Sequence, residues 1–213
     1  HPPDIDAVLV SHAHIDHIGL LPKLVKDGFS GPIYATKGTA KLAEAMLFDS
    51  ARIQVEDEAY MVKHHIKNPF IGSLPLYTPK DAEKTLQQFV GKPYDRLFKV
   101  TEDVSAEFLD AGHVFGSAIT VLTMKTDKKK NILAYTGDLG RSNQPIIRDP
   151  SLVSKAHDLL IESTYGDRSH ERVAEIEEDL AAIITATIKR GGKVFIPAFA
   201  LERTQELLHE LNH

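Results

Sequence analysis

Within the seven residues Ser11-His12-Ala13-His14-Ile15-Asp16-His17 stand three imidazoles and a carboxylate. They follow the apolar run Ala7-Val8-Leu9-Val10, which reads as a buried strand. Side chains alternate along extended backbone, so His12 and His14 point the same way and can share one metal ion. Asp16 and His17 fall where the chain turns and can face a second ion. Imidazole and carboxylate donors without thiolate suit Zn2+ or Mn2+. The chain has no cysteine, which excludes a thiolate ligand, a cysteine nucleophile and any disulfide.

Such a cluster needs more ligands than one loop supplies. Two residues far along the chain sit in loops after predicted strands: His113 in Asp110-Ala111-Gly112-His113, and Asp138 in Thr136-Gly137-Asp138-Leu139-Gly140. Each alone reads as an ordinary structural residue. Beside the first cluster, each reads as a further ligand. Two divalent ions roughly 3.5–4 Å apart can share a hydroxide, lower its pKa and stabilise both the attacking and leaving oxygens of a phosphodiester. His64 and His65 read as a solvated helix end; His157, His170 and His209 have no assigned role.

The elements that must position these residues alternate between short apolar runs and helical stretches, an α/β pattern. Helices are expected over 19–26, over 39–65 with Leu42, Met46, Ile53 and Met61 on its apolar side, and from the capping sequence Thr78-Pro79-Lys80-Asp81 to about Val90. Strands are expected over 32–35, 104–110, 119–125 and 132–136, with a solvated lysine turn over 127–131. Asp158 to Glu162 reads as a buried strand, 170–190 as a helix stopped by Gly191, and 193–197 as a strand before a last helix from about Leu201.

At 213 residues, length suggests about 1.4 domains. With 42% apolar and 26% charged residues the composition is that of an ordinary globular chain, not a disordered one. No apolar run reaches the roughly 18 residues of a membrane span, and the opening His-Pro-Pro-Asp lacks a basic-then-apolar leader, so a cytoplasmic protein without membrane partners is expected. A net charge of −5 speaks against tight, sequence-independent nucleic-acid binding through overall charge.

The His12-x-His14-x-Asp16-His17 run, Ala111-Gly112-His113 and Thr136-Gly137-Asp138 resemble the second, third and fourth motifs of the metallo-β-lactamase superfamily. Residues 111–118, 135–141 and Ile161-Glu162-Ser163-Thr164-Tyr165-Gly166-Asp167-Arg168 resemble more narrowly its β-CASP branch, which holds RNA- and DNA-processing nucleases. Residues 197–207 resemble the segment that leads into the β-CASP domain, with Glu202 where many members have glycine.

The resemblance implies an α/β fold, the αββα sandwich of that superfamily, incomplete at both ends, with a catalytic lobe over 1–197 and the start of a β-CASP region over 198–213. It implies two zinc sites, Mn2+ being an alternative metal. His12, His14 and His113 would hold the first ion, Asp16 and His17 the second, and Asp138 would bridge them. The second site would be incomplete, because the later β-CASP histidine motifs are absent. Asp16 would also orient the hydroxide, and Glu162 would be the acidic residue that supports a histidine general acid. The implied reaction is hydrolysis of single-stranded RNA; this stretch by itself, expected to be part of something longer, would be weak or inactive. Uncovered apolar sheet surface would favour a homodimer. Two other readings are a thioester or lactone hydrolase like glyoxalase II, and an inactive scaffold subunit of a processing complex.

Overall fold

In a computed structural model, which describes residues 1–66, 75–126, 129–168 and 176–212, the apolar run before the histidines forms β1 (Val8–Leu9). It opens a three-stranded parallel sheet ordered β1–β2–β3, with β2 (Ile33–Thr36) and β3 (Phe89–Lys92). Val8 stands opposite Ile33, and Ile33 opposite Phe89. Parallel neighbours need crossovers. Helices α1 (Ile15–Ile18) and α2 (Leu21–Lys26) lie between β1 and β2, and α3 (Lys37–Lys63) and α4 (Pro79–Leu86) between β2 and β3.

The second sheet runs β4 (Phe98–Lys99), β5 (Val104–Asp110), β6 (Ala118–Lys125), β7 (Lys130–Tyr135) and β8 (Asp158–Leu160), in that spatial order. Its pairs are antiparallel except β7–β8. Lys125 pairs with Lys130; Asp127 and Lys128 of the expected turn lie outside the described residues. The two sheets meet through aromatic rings. Tyr34 on β2 is 5.2 Å from Phe98 on β4, which is 5.2 Å from the buried Phe108 on β5.

Several expectations are corrected. The helix begun at Thr78 has its capping box but stops at Leu86, and Phe89-Val90-Gly91-Lys92 is a strand. Pairing with β2 overrides the helical reading there. On α3 the buried stripe is Thr39, Ala43, Leu47 and Ala51, whereas Ile53 is exposed. Small residues on that stripe let the helix lie close to the sheet it covers. β8 ends at Leu160 and is exposed; among the described residues it is an edge strand paired with β7.

Two compact units are present, His1–Glu162 and Ser163–His213. The second contains α5 (Ile176–Lys189) and α6 (Arg203–Glu210). Residues 169–175, the start of the expected helix, lie outside the described residues; its end is marked by Gly191 at φ 71°. The expected strand over 193–197 is not one. Its own unit holds no strand among the described residues to pair with, and an apolar run becomes a strand only through a ladder.

Thr36 joins the layers. Its buried hydroxyl accepts from Thr39 N at 3.1 Å, capping α3, and donates to Gly116 O at 2.6 Å in the β5–β6 connection. Thr36→Val keeps the shape and removes both bonds. It should cost about 1–2 kcal/mol in urea unfolding. A loss under about 0.5 kcal/mol, the range of an ordinary surface substitution, would show that the cap carries no such weight.

Candidate metal centre

Each candidate ligand is delivered by the loop after a strand, and the first unit brings these loops to one place. His12 is fully buried; His14 and His113 are half-buried. His14 Nδ1 lies 3.0 Å from His12 Nε2 and 3.2 Å from His113 Nε2. Asp138 Oδ2 lies 3.8 Å from His12 Nε2 and 3.7 Å from His113 Nε2. One donor atom from each of the four fits within a 4.8 Å span. A tetrahedral ion with bonds of about 2.0–2.1 Å would set its ligands about 3.3–3.4 Å apart, close to these edges. One ring nitrogen cannot satisfy two imidazoles at once, since it offers either one proton or one lone pair. His14 Nδ1, facing two ring nitrogens, is therefore arranged for a shared cation rather than a hydrogen-bond pair.

The other oxygen of Asp138 faces a second group. His17 Nε2 lies 3.4 Å from Asp138 Oδ1 and 3.6 Å from Asp16 Oδ2. Asp16 and His17 sit in the single turn α1, and the Asp16 side chain is 75% exposed. His12, His14, His113 and His17 thus surround the Asp138 carboxylate, and Asp16 stands beside His17. The donor set of neutral imidazoles and carboxylates, at these spacings, fits divalent metal ions.

Protonation follows from burial. Desolvation, then the imidazoles of His17, His113 and His14, pushes the pKa of His12 down to about 2. Desolvation also lowers His14, against the pull of Asp16 and Asp138, and lowers His113. These rings are held in the neutral, ligand form.

The loops are bolted to one another by hydrogen bonds that motif reading did not reveal. Asp110 Oδ1 accepts from Gly112 N at 3.0 Å, and Ser117 Oγ accepts from His113 N at 3.1 Å. Thr39 Oγ1 donates to Gly116 O, and Tyr94 OH to Ser117 O. Gly140 N donates to Ala111 O at 2.9 Å, tying the Asp138 loop to the His113 loop. Glu162 Oε1 accepts from Leu139 N at 3.2 Å, so Glu162 also anchors the Asp138 loop. Ser11 Oγ, next to the cluster, lies 3.1 Å from His12 Nδ1. A hydroxyl directly before a histidine run was the signal available for Ser11. Elsewhere, His157 Nδ1 accepts from Ile132 N, a structural role, and His64 stacks on Tyr60.

Two outcomes follow. A Cβ at Gly140 would lie 1.4 Å from Gly112 O. Gly140→Ala must part the two loops, so metal affinity should drop at least about tenfold while the circular dichroism of the fold persists. Unchanged affinity would mean that the loops need no fixed spacing. The second concerns pH. His12, His14 and His113 have folded pKa values below the usual 6.5, so the unfolded chain takes up protons first as pH falls. Their contribution to stability is complete above about 6.5 and shrinks as pH falls below it, His12 contributing the most because its pKa is lowered furthest. The metal-free chain should melt at a lower temperature at pH 5.5 than at pH 7.5, and His12→Gln should flatten that slope.

Comparison with known proteins places this geometry. Over 210 residues the chain is 38% identical to Ribonuclease TTHA0252 of Thermus thermophilus, covering 99% of the chain and 43% of that protein. It is 33% identical over 210 residues to transcription termination factor FttA of Methanocaldococcus jannaschii, covering 96% of the chain and 30% of the relative. The corresponding factor of Cenarchaeum symbiosum is 29% identical over 213 residues, again with 30% of the relative covered. The chain therefore spans less than half the length of these relatives. Residues 1–197 match the metallo-beta-lactamase superfamily as a family, and the chain belongs to that superfamily.

Proposed function

We propose that this chain is the catalytic lobe of a metal-dependent hydrolase that cleaves RNA phosphodiester bonds, in the β-CASP branch. The observation that carries the reading is the convergence of His12, His14, His113 and His17 on the two oxygens of Asp138, with Asp16 beside His17. The names of the relatives, a ribonuclease and transcription termination factors, favour RNA over a small ester. Residues 1–197 would form the lobe and 198–213 the approach to a β-CASP region. Among the described residues no helix is long and apolar enough to cross a membrane.

In this reading His12, His14, His113 and Asp138 Oδ2 hold one ion, and Asp16, His17 and Asp138 Oδ1 hold the other. Zinc is the metal that best fits the imidazole-rich first set. When bound, such ions acidify a water molecule and offset the charge of a phosphodiester. The chain's own part is positional. Buried imidazoles stay neutral and ready to ligate, and the Asp138 carboxylate keeps the two ligand sets at a fixed separation. Asp16, whose side chain is 75% exposed beside His17, can orient the attacking water. Glu162 keeps Asp138 in place through Leu139 N.

The test is cleavage of labelled single-stranded RNA by the full-length protein with added zinc or manganese, beside its Asp16→Ala variant. The variant should fold, because Asp16 lies outside the core, and its rate should fall by a factor on the order of 10²–10⁴. Cleavage near the unmodified rate would overturn the two-ion arrangement. Turnover of a thioester by a protein that leaves RNA intact would redirect the reading to a small-ester hydrolase.

A further inference from the structure

Ser11 is 5% exposed and lies inside the cluster without being a metal ligand by type. Its Oγ is 3.1 Å from His12 Nδ1 and 3.5 Å from His17 Nδ1. The far nitrogens of the same two rings face the two oxygens of one carboxylate: His12 Nε2 is 3.8 Å from Asp138 Oδ2, and His17 Nε2 is 3.4 Å from Asp138 Oδ1. Both rings, with centroids 4.0 Å apart, are thus strung between a common hydroxyl and a common carboxylate.

A neutral imidazole holds its proton on one nitrogen and its lone pair on the other, and the hydrogen bond made by the protonated nitrogen decides which is which. A serine oxygen has two lone pairs and can accept two such protons. We propose that Ser11 is the shared positioning residue of the metal centre: its Oγ accepts Nδ1–H from both His12 and His17, leaving both Nε2 lone pairs aimed at the two sides of Asp138. This rests on the metal-centre reading above and adds to it the group that ties the two ligand sets together.

The surroundings hold the hydroxyl there. Gly137, next to Asp138, has φ 56°, and a Cβ at that position would lie 2.7 Å from Ser11 Cβ and 2.9 Å from Ser11 Oγ. On the main chain, Ser11 O accepts from Ala118 N at 2.8 Å. His14 is oriented differently, with Nδ1 toward the other two imidazoles, and does not call on Ser11.

The experiment has two arms. Long-range proton–nitrogen NMR on the zinc-loaded chain reads directly which nitrogen of each ring carries the proton. The proton should sit on Nδ1 in both His12 and His17; a proton on Nε2 of either ring overturns the proposal without any mutation. Zinc titration against a chelating dye then compares the unmodified chain with Ser11→Ala. The variant should bind zinc about 10–100-fold more weakly, with the Nδ1–H signals of His12 and His17 shifted or broadened by exchange, while the circular dichroism of the fold persists. Unchanged zinc affinity in a folded Ser11→Ala chain would remove the proposal alone. An unmodified chain that binds no zinc would remove the metal-centre reading itself. If Ser11→Ala fails to fold, the tautomers of the unmodified chain decide.

Discussion

Three imidazoles and a carboxylate are held within 4.8 Å of one another, and the rest of the first unit depends on that crowding. Protonated imidazoles at such distances would repel, and His12 has no exposed surface through which water could relieve a charge. Burial answers the problem by keeping the rings neutral, and neutrality is also the state in which their lone pairs are available. The same desolvation that stabilises the uncharged core thus prepares the ligands.

Crowding alone would not hold the atoms in place, because the His113 and Asp138 loops lie about a hundred residues or more along the chain from the first loop. Backbone-directed hydrogen bonds do so. Ser117 collects the N–H groups of His113 and Val114, while Thr36 and Thr39 both reach Gly116 O from the start of α3. Gly140 N binds Ala111 O, joining the third ligand loop to the second. Several of these partners, Thr36, Thr39, Gly116, Ser117 and Gly140, are small hydroxyl residues or glycines. Small groups permit backbone to approach backbone closely, and a hydroxyl can act as donor and acceptor at one point. The site is therefore built on the rims of both sheets at once, and the same two sheets also meet through the Tyr34–Phe98–Phe108 contact.

How much of this was legible in the sequence depends on the range over which each feature is determined. His12, His14, Asp16 and His17 declare themselves because strand alternation and a following turn are local. His113 and Asp138 became ligands only by association with that first run. β3 was missed since Phe89 to Lys92 is short, contains Gly91, and exists as a strand through its pairing with β2. The stripe on α3 is hidden in the sequence because its large apolar residues suggest another face, while the close approach is made by Thr39, Ala43, Leu47 and Ala51. Residues 193–197 have the composition of a strand and no ladder within their own unit. In each case the missing information is the identity of a partner distant in sequence.

Ser11 illustrates the same limit in the opposite sense. Alternation would send the side chains of Ser11 and His12 to opposite faces, which hides any bond between them. The chain leaves extended geometry at this point, since β1 ends at Leu9 and α1 begins at Ile15, and over that short span neighbouring side chains can converge. A strand that simply continued would spread these groups along its length. A helix starting directly at His12 would separate them by a turn. The irregular stretch between the two elements is what allows one hydroxyl, three imidazoles and a carboxylate to meet, so the end of β1 matters to the site as much as the ligands that follow it.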